Sequence, residues 1–372
     1  MLFFGRGGGG TYVTKRIEYL DGHRGLAILL VVGYHGFARW TEELPYGDTY
    51  ASFPLFEFGY LGVQLFFLIS GYVILLTLER TASIGEFAYK RWIRLFPAML
   101  IASVVVFGSQ LFLTERPSGS VGLIEFIPGL TFIDTAILEK VTGYPFVGLE
   151  GVFWSLYVEV KFYAVAALVF FVAGRRLLLP ALVILFAGDW LLTWLHVDAG
   201  VTAIKPLFTL SSLGSFEHFG WFAAGAAYFT FHKSNKQRWF VIGSTIALLA
   251  CVREGGTDLA VLAANLAVAA LFAVSLVHTG LQRVLSHKFL LFLGVVSYPL
   301  YLIHENAMIS ATVQLSALQS IVPAEIVLLA VVGALTGVSY AIAVFGEPPL
   351  RNWLARRRPS RESQKAMPMA GS

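Results

Sequence analysis

Two side chains in the stretch LDGHRGLAILLVVGYHGF, residues 20–37, could do chemistry that their apolar neighbours cannot. Arg24 is a fixed cation, and His35 is a proton-transfer group near neutral pH. Eleven helical residues at about 100° each bring the two within roughly 20° of one face, roughly 16 Å apart along the axis. An ionisable group in hydrocarbon costs free energy, so it is kept for a partner or a task. One face therefore carries a cation at one end and a proton acceptor deep inside. The plainer account makes Arg24 a topology anchor and His35 a packing residue.

Other candidates follow along the chain. FAYKRWIRLFPAM places Lys90, Arg91 and Arg94 together ahead of Pro97. Such cations anchor topology, and beside Arg24 they would also hold a polyanion such as the phosphates of a nucleotide cofactor. FWSLYVEVKFY carries Trp154, Ser155, Glu159 and Lys161. Glu159 and Lys161 are two positions apart and do not face each other, so each needs a partner elsewhere. Glu159 is a candidate to orient a histidine or hold a polar substrate, and a structural buried pair fits as well. Asp189, Glu217, His218, His304 and Glu305 also fall in apolar stretches. That density implies a polar cavity inside a membrane bundle.

The elements that must position these groups are long apolar helices. The chain has 372 residues, 57% hydrophobic and 13% charged, against about 25% charged in soluble domains. A bilayer span takes about 20 mostly apolar residues. Ten such stretches are predicted, roughly at 22–40, 58–78, 95–113, 152–173, 177–195, 208–231, 239–253, 259–280, 289–312 and 321–345. Assigned to alternate sides, 21 basic residues fall on one side and five on the other, with Lys161 inside a span. The positive-inside rule then makes both termini cytoplasmic. The fold expected is all-α and polytopic. Residues 1–19 form a short cytoplasmic segment, 20–355 the membrane domain, and 356–372 a disordered basic tail. The first span is expected to serve as its own insertion signal. The segment 114–151 is the one long outer loop, and its apolar stretches lie at the interface or re-enter the bilayer. A single cysteine, Cys251, excludes an internal disulfide and a Cys-rich metal site.

Six motifs in order carry a family resemblance: LDGHRGLAILLVVGYH, GYLGVQLFFLISGYVI, FAYKRWIRLFPA, FWSLYVEVKFY, SYPLYLIH and FGEPPLR. From about residue 17 to residue 355 the chain resembles acyltransferase family 3, integral membrane O-acyltransferases, in its standalone form without a fused hydrolase-like domain. The resemblance implies that His35 and Glu159 act in catalysis and that Arg24, Lys90, Arg91 and Arg94 bind an acyl-coenzyme A donor. It implies further that Trp154, Ser155 and His304 meet the acceptor. Gln64 departs from the pattern, since many members carry aspartate there, and Lys161 replaces a commoner uncharged residue.

The reaction expected is transfer of an acyl group, acetyl first, from cytoplasmic acyl-coenzyme A to a hydroxyl of a carbohydrate such as a cell-surface polysaccharide or lipopolysaccharide sugar. His35 would be the general base. No metal or nucleic acid is expected to take part. The bacterial inner membrane is the expected location. The rival is a proton-coupled transporter or flippase, which uses intramembrane His and Glu equally well.

Overall fold

The computed structural model describes residues 17–356. Ten helices of 15 residues or more fall on the ten predicted stretches. They are α1 Glu18–Tyr34, α2 Gly62–Leu78, α3 Ile84–Ser109, α4 Trp154–Leu168, α5 Arg175–Thr193, α6 Phe219–Ser234, α7 Gln237–Gly255, α8 Leu259–Ser275, α9 Lys288–Gln314 and α10 Ala324–Ala341. An eleventh, α11 Glu347–Arg356, follows. No strand occurs among the described residues. Six helical segments are long and apolar enough to cross a membrane by length and composition, and a seventh if α8 and the helix Thr279–Leu285, bent by 107°, form one span.

Several boundaries differ from the sequence reading, each for a local reason. The third helix starts at Ile84 rather than 95. Ser83 caps it by accepting from the Glu86 backbone N–H, and Glu86 in turn accepts from Ala82. This reciprocal arrangement resembles a capping box and starts the helix a full three turns early. Lys90, Arg91 and Arg94 are thus inside a helix, as is Pro97. The sixth stretch is broken at Ser215, which adopts a left-handed conformation (φ 55°) between the helix Lys205–Gly214 and α6. The predicted tail begins one residue inside α11, and 1–16 and 357–372 lie outside the described residues.

The segment 114–151 folds into short helical pieces that pack on the bundle. Asp134 caps the helix Thr135–Thr142 and also pairs with Lys161 of α4 at 2.6 Å. Glu125 accepts from the backbone of Val147 and Gly148. Lys161 thus ties the segment to a membrane helix.

Close helix crossings set the frame for the site. A Cβ on Gly25 of α1 would stand 2.1 Å from the Leu290 carbonyl oxygen, and one on Gly294 of α9 the same distance from that of Asp21. A Cβ on Gly71 of α2 would stand 2.0 Å from the Phe222 oxygen of α6. Only glycine lets these backbones touch, the means by which helices associate where lipid removes the hydrophobic drive. The α1–α9 contact puts Arg24 and His35 against a helix that carries Tyr301, His304 and Glu305.

Candidate active site

The site has two parts, divided by one turn of α9. The deeper part is a histidine pair. His35 sits where α1 changes to a π-helical turn, His35–Arg39, an irregularity common at functional sites. Its Nδ1 lies 2.9 Å from the Val31 carbonyl oxygen and 3.3 Å from Nε2 of His304. His304 is fully buried, and its own Nδ1 lies 2.9 Å from the Tyr301 carbonyl oxygen. A carbonyl only accepts, so the proton of each ring sits on Nδ1. His35 therefore turns the lone pair of Nε2 outward. The group it meets is Oε1 of Glu305, at 3.5 Å. The other Glu305 oxygen accepts from the Val152 backbone N–H at 3.1 Å.

This arrangement can take a proton. A neutral His35 presents a basic nitrogen, and once protonated it faces a carboxylate already fixed by the start of α4. The logic is that of a base held in one tautomer with an acid beside it to stabilise the imidazolium.

The shallower part is a cationic cavity of about 150 Å³. Arg24, Arg91, Arg94, Arg351, Glu159 and Glu347 line it, drawn from α1, α3, α4 and α11. Arg24 donates to Asp21 at 2.9 Å. Arg91 is 7% exposed, donates to Thr77 and lies over the rings of Phe87 and Tyr163 at 5.7 and 5.3 Å. Glu159 accepts from Ser70 and Tyr163.

Tyr301 and Ser155 close the cavity on the side of the histidines. Both line it, and their hydroxyls lie 2.7 Å apart. Tyr301 also donates to the Val152 carbonyl at 2.9 Å. Its ring centroid is 5.7 Å from that of His304, which is 4.9 Å from that of His35. A single layer of side chains thus separates the cationic cavity from the histidine pair.

The predicted residues divide accordingly. Arg24, Arg91 and Arg94 come together as read from the sequence. Lys90 does not join them: it points away, to Glu86 at 2.8 Å and the Arg80 carbonyl at 3.3 Å. Glu159 stands among the arginines, and the carboxylate beside His35 is Glu305. Ser155 lies at the septum and His304 beside His35. Trp154 is 43% exposed, against Phe67 and His218, outside the cationic cavity. The sequence leaves the carboxylate that orients His35 open between Glu159 and one near the ninth span, where Glu305 lies, and gives no role to Tyr301 or Arg351. The signal was present in the spacing of α9, where Tyr301, His304 and Glu305 at i, i+3 and i+4 share a face. Among the described residues no group of three or more His, Cys, Asp or Glu could hold a metal ion.

Comparison with known proteins shows the family. The family described as an acyltransferase domain matches residues 17–344. Nodulation protein 10 of Rhizobium leguminosarum bv. viciae is 28% identical over 234 residues, 55% of this chain and 62% of that protein. Peptidoglycan O-acetyltransferase OatA of Listeria monocytogenes is 27% identical over 168 residues, 41% of this chain and 24% of that protein. O-acetyltransferase OatA of Staphylococcus aureus is 29% identical over 171 residues, 42% of this chain and 25% of that protein. The chain therefore spans about a quarter of the two OatA proteins. No solved structure matches.

Proposed function

The chain belongs to the acyltransferase-domain family, and from that premise we propose that it is a membrane O-acyltransferase that moves an acyl group, acetyl first, from acyl-coenzyme A to a carbohydrate hydroxyl. The observation that carries the reading is the placement of His35. Its basic Nε2 faces Glu305, while the arginine cavity ends one helical turn away on α9.

The steps follow from these groups. The arginines hold the phosphates of the donor, whose thioester points toward Tyr301 and Ser155. The acceptor hydroxyl gives its proton to Nε2 of His35, and its oxygen attacks the thioester carbonyl carbon. The C–S bond breaks as the new ester forms. The departing thiolate takes the proton from the imidazolium, which Glu305 has held charged. Such a base contributes roughly 10²–10⁴-fold. Trp154, exposed beside His218, offers an aromatic face to a sugar ring.

The names of the relatives support a glycan as acceptor. Basic residues on the cavity side support a cytoplasmic donor, with both termini on that side and the outer segment 114–151 opposite. A bacterial inner membrane is the location that fits an acyl donor inside and a surface glycan outside. The decisive experiment is transfer from radiolabelled acetyl-coenzyme A to a polysaccharide by purified protein in detergent. Label in the glycan, lost on His35→Gln, supports the reading. Gradient-driven flux of an unmodified substrate in liposomes would replace it with a transporter.

A further inference from the structure

A second, larger cavity of about 850 Å³ opens beyond the first. The two share Arg24, Val73 and Arg94, so they adjoin. The larger one is lined by Arg24, Arg80, Arg94, Arg175 and Lys233 with Asp21 and Glu79. Five fixed cations against two carboxylates leave three positive charges. Arg80 lies in the turn just after α2, Arg175 at the start of α5 and Lys233 at the end of α6. Glu79 binds two of them, accepting from Arg175 Nε and from Lys233 Nζ, each at 2.5 Å. Glu79 itself is 13% exposed, whereas Arg175 and Lys233 are 44% and 55% exposed. A sheltered carboxylate thus holds two solvent-facing cations at fixed positions around the mouth. Tyr72, Phe170 and Phe229 supply aromatic surface in the same cavity.

We propose that this outer chamber is a binding subsite for a nucleotide 3′-phosphate, with Arg80, Arg175 and Lys233 on the phosphates and Glu79 as the residue that positions them. The proposal rests on the donor reading above and adds to it. A bulky, highly anionic nucleotide matches a wide cationic chamber with aromatic walls. Arg24 and Arg94, which line both cavities, then fall to the pyrophosphate, and the pantetheine arm runs on past the remaining arginines of the smaller cavity toward Tyr301 and Ser155. The division of the two volumes follows the division of coenzyme A into 3′,5′-ADP and pantetheine. Arginine's fork and the ammonium of Lys233 are both suited to phosphate oxygens.

The test is calorimetric titration of the full chain in neutral detergent with coenzyme A, dephospho-coenzyme A and pantetheine. Wild-type protein is expected to bind coenzyme A about ten-fold or more tightly than the dephospho form, as one charged hydrogen bond implies. The double variant Arg175→Ala, Lys233→Ala should bind both forms equally, with pantetheine unchanged. Glu79→Gln should narrow the gap partly, since the cations remain but are no longer held. Both cations are solvent-facing, and an unchanged unfolding temperature checks that the fold survives. A gap that persists in the double variant, or no gap in the wild type, overturns the subsite and leaves the donor reading standing. No binding of coenzyme A by wild-type protein overturns both.

Discussion

Nε2 of His35 lies 3.5 Å from Oε1 of Glu305 across the contact between α1 and α9. Glu159, on α4, has turned its carboxylate to Ser70 and Tyr163 instead. Two carboxylates that read alike in sequence therefore stand in different parts of the site, Glu159 on the cationic cavity and Glu305 beside the histidine pair.

That assignment separates their mutants. Glu305→Gln removes the charge that meets a protonated His35 and should lower turnover by roughly 10–100-fold, less than the roughly 10²–10⁴-fold that the base itself contributes, with donor affinity unchanged. Glu159→Gln should act on the donor side, shifting the KM for acetyl-coenzyme A. Steady-state kinetics with each substrate varied in turn checks the split, and a donor-KM effect from Glu305→Gln would reverse the assignment.

His35→Gln keeps a hydrogen-bonding side chain and loses the basic nitrogen. Turnover should fall roughly 10²–10⁴-fold, while expression and acetyl-coenzyme A binding stay normal. Near-normal turnover at normal expression would remove His35 from the role of base.

Arg91→Ala takes away a cavity cation that also rests on Phe87 and Tyr163. Donor affinity should drop roughly ten- to hundred-fold, from about 1.5–3 kcal/mol per charged hydrogen bond. Lys90→Ala, one residue earlier on the same helix, should leave donor affinity within error. Titration of acetyl-coenzyme A into both variants measures the contrast, and equal losses would mean that Lys90 reaches the donor after all.

Gly294→Leu forces a side chain into the Asp21 carbonyl, where even a Cβ would stand at 2.1 Å. The variant should lose thermal stability in detergent and separate Arg24 and His35 from α9. A melting temperature equal to that of the wild type would show that the crossing can relax at little cost.

Ser118 is exposed in the segment 114–151, and its backbone N–H donates to Asn306. Ser118→Cys, in a Cys251→Ala background, should react with an impermeant maleimide in intact cells. Reaction only after permeabilisation would invert the topology and move the donor cavity to the opposite side.

Much of this was legible because helical periodicity fixes which residues share a face. Arg24 and His35 fall on one side of α1 whatever α1 packs against. The ten helices were legible because bilayer spans are long and apolar. Partners between helices were not, since nothing in the sequence of α4 or α9 says which carboxylate will stand near α1. That choice is made by the close approach at Gly25 and Gly294. Lys90 and Arg91 looked equivalent as neighbours, but about 100° of helix rotation sends one to Glu86 and the other into the cavity. The Ser83–Glu86 cap that sets this rotation was readable and went unread.

The Tyr301–Ser155 contact has a consequence for the cell's energy supply. The cationic cavity ends at Tyr301 and Ser155, and the histidine pair stands one layer of side chains beyond, so a proton passing between them would meet one aromatic ring and its hydroxyl partner. On the proposed reaction, the contact that yields to the thioester is also what keeps protons from crossing at this point. Tyr301→Ala should therefore let protons leak: liposomes carrying it would discharge an imposed pH gradient faster than liposomes carrying the wild type. On that reading, the contact opens without a leak only when a donor fills the gap.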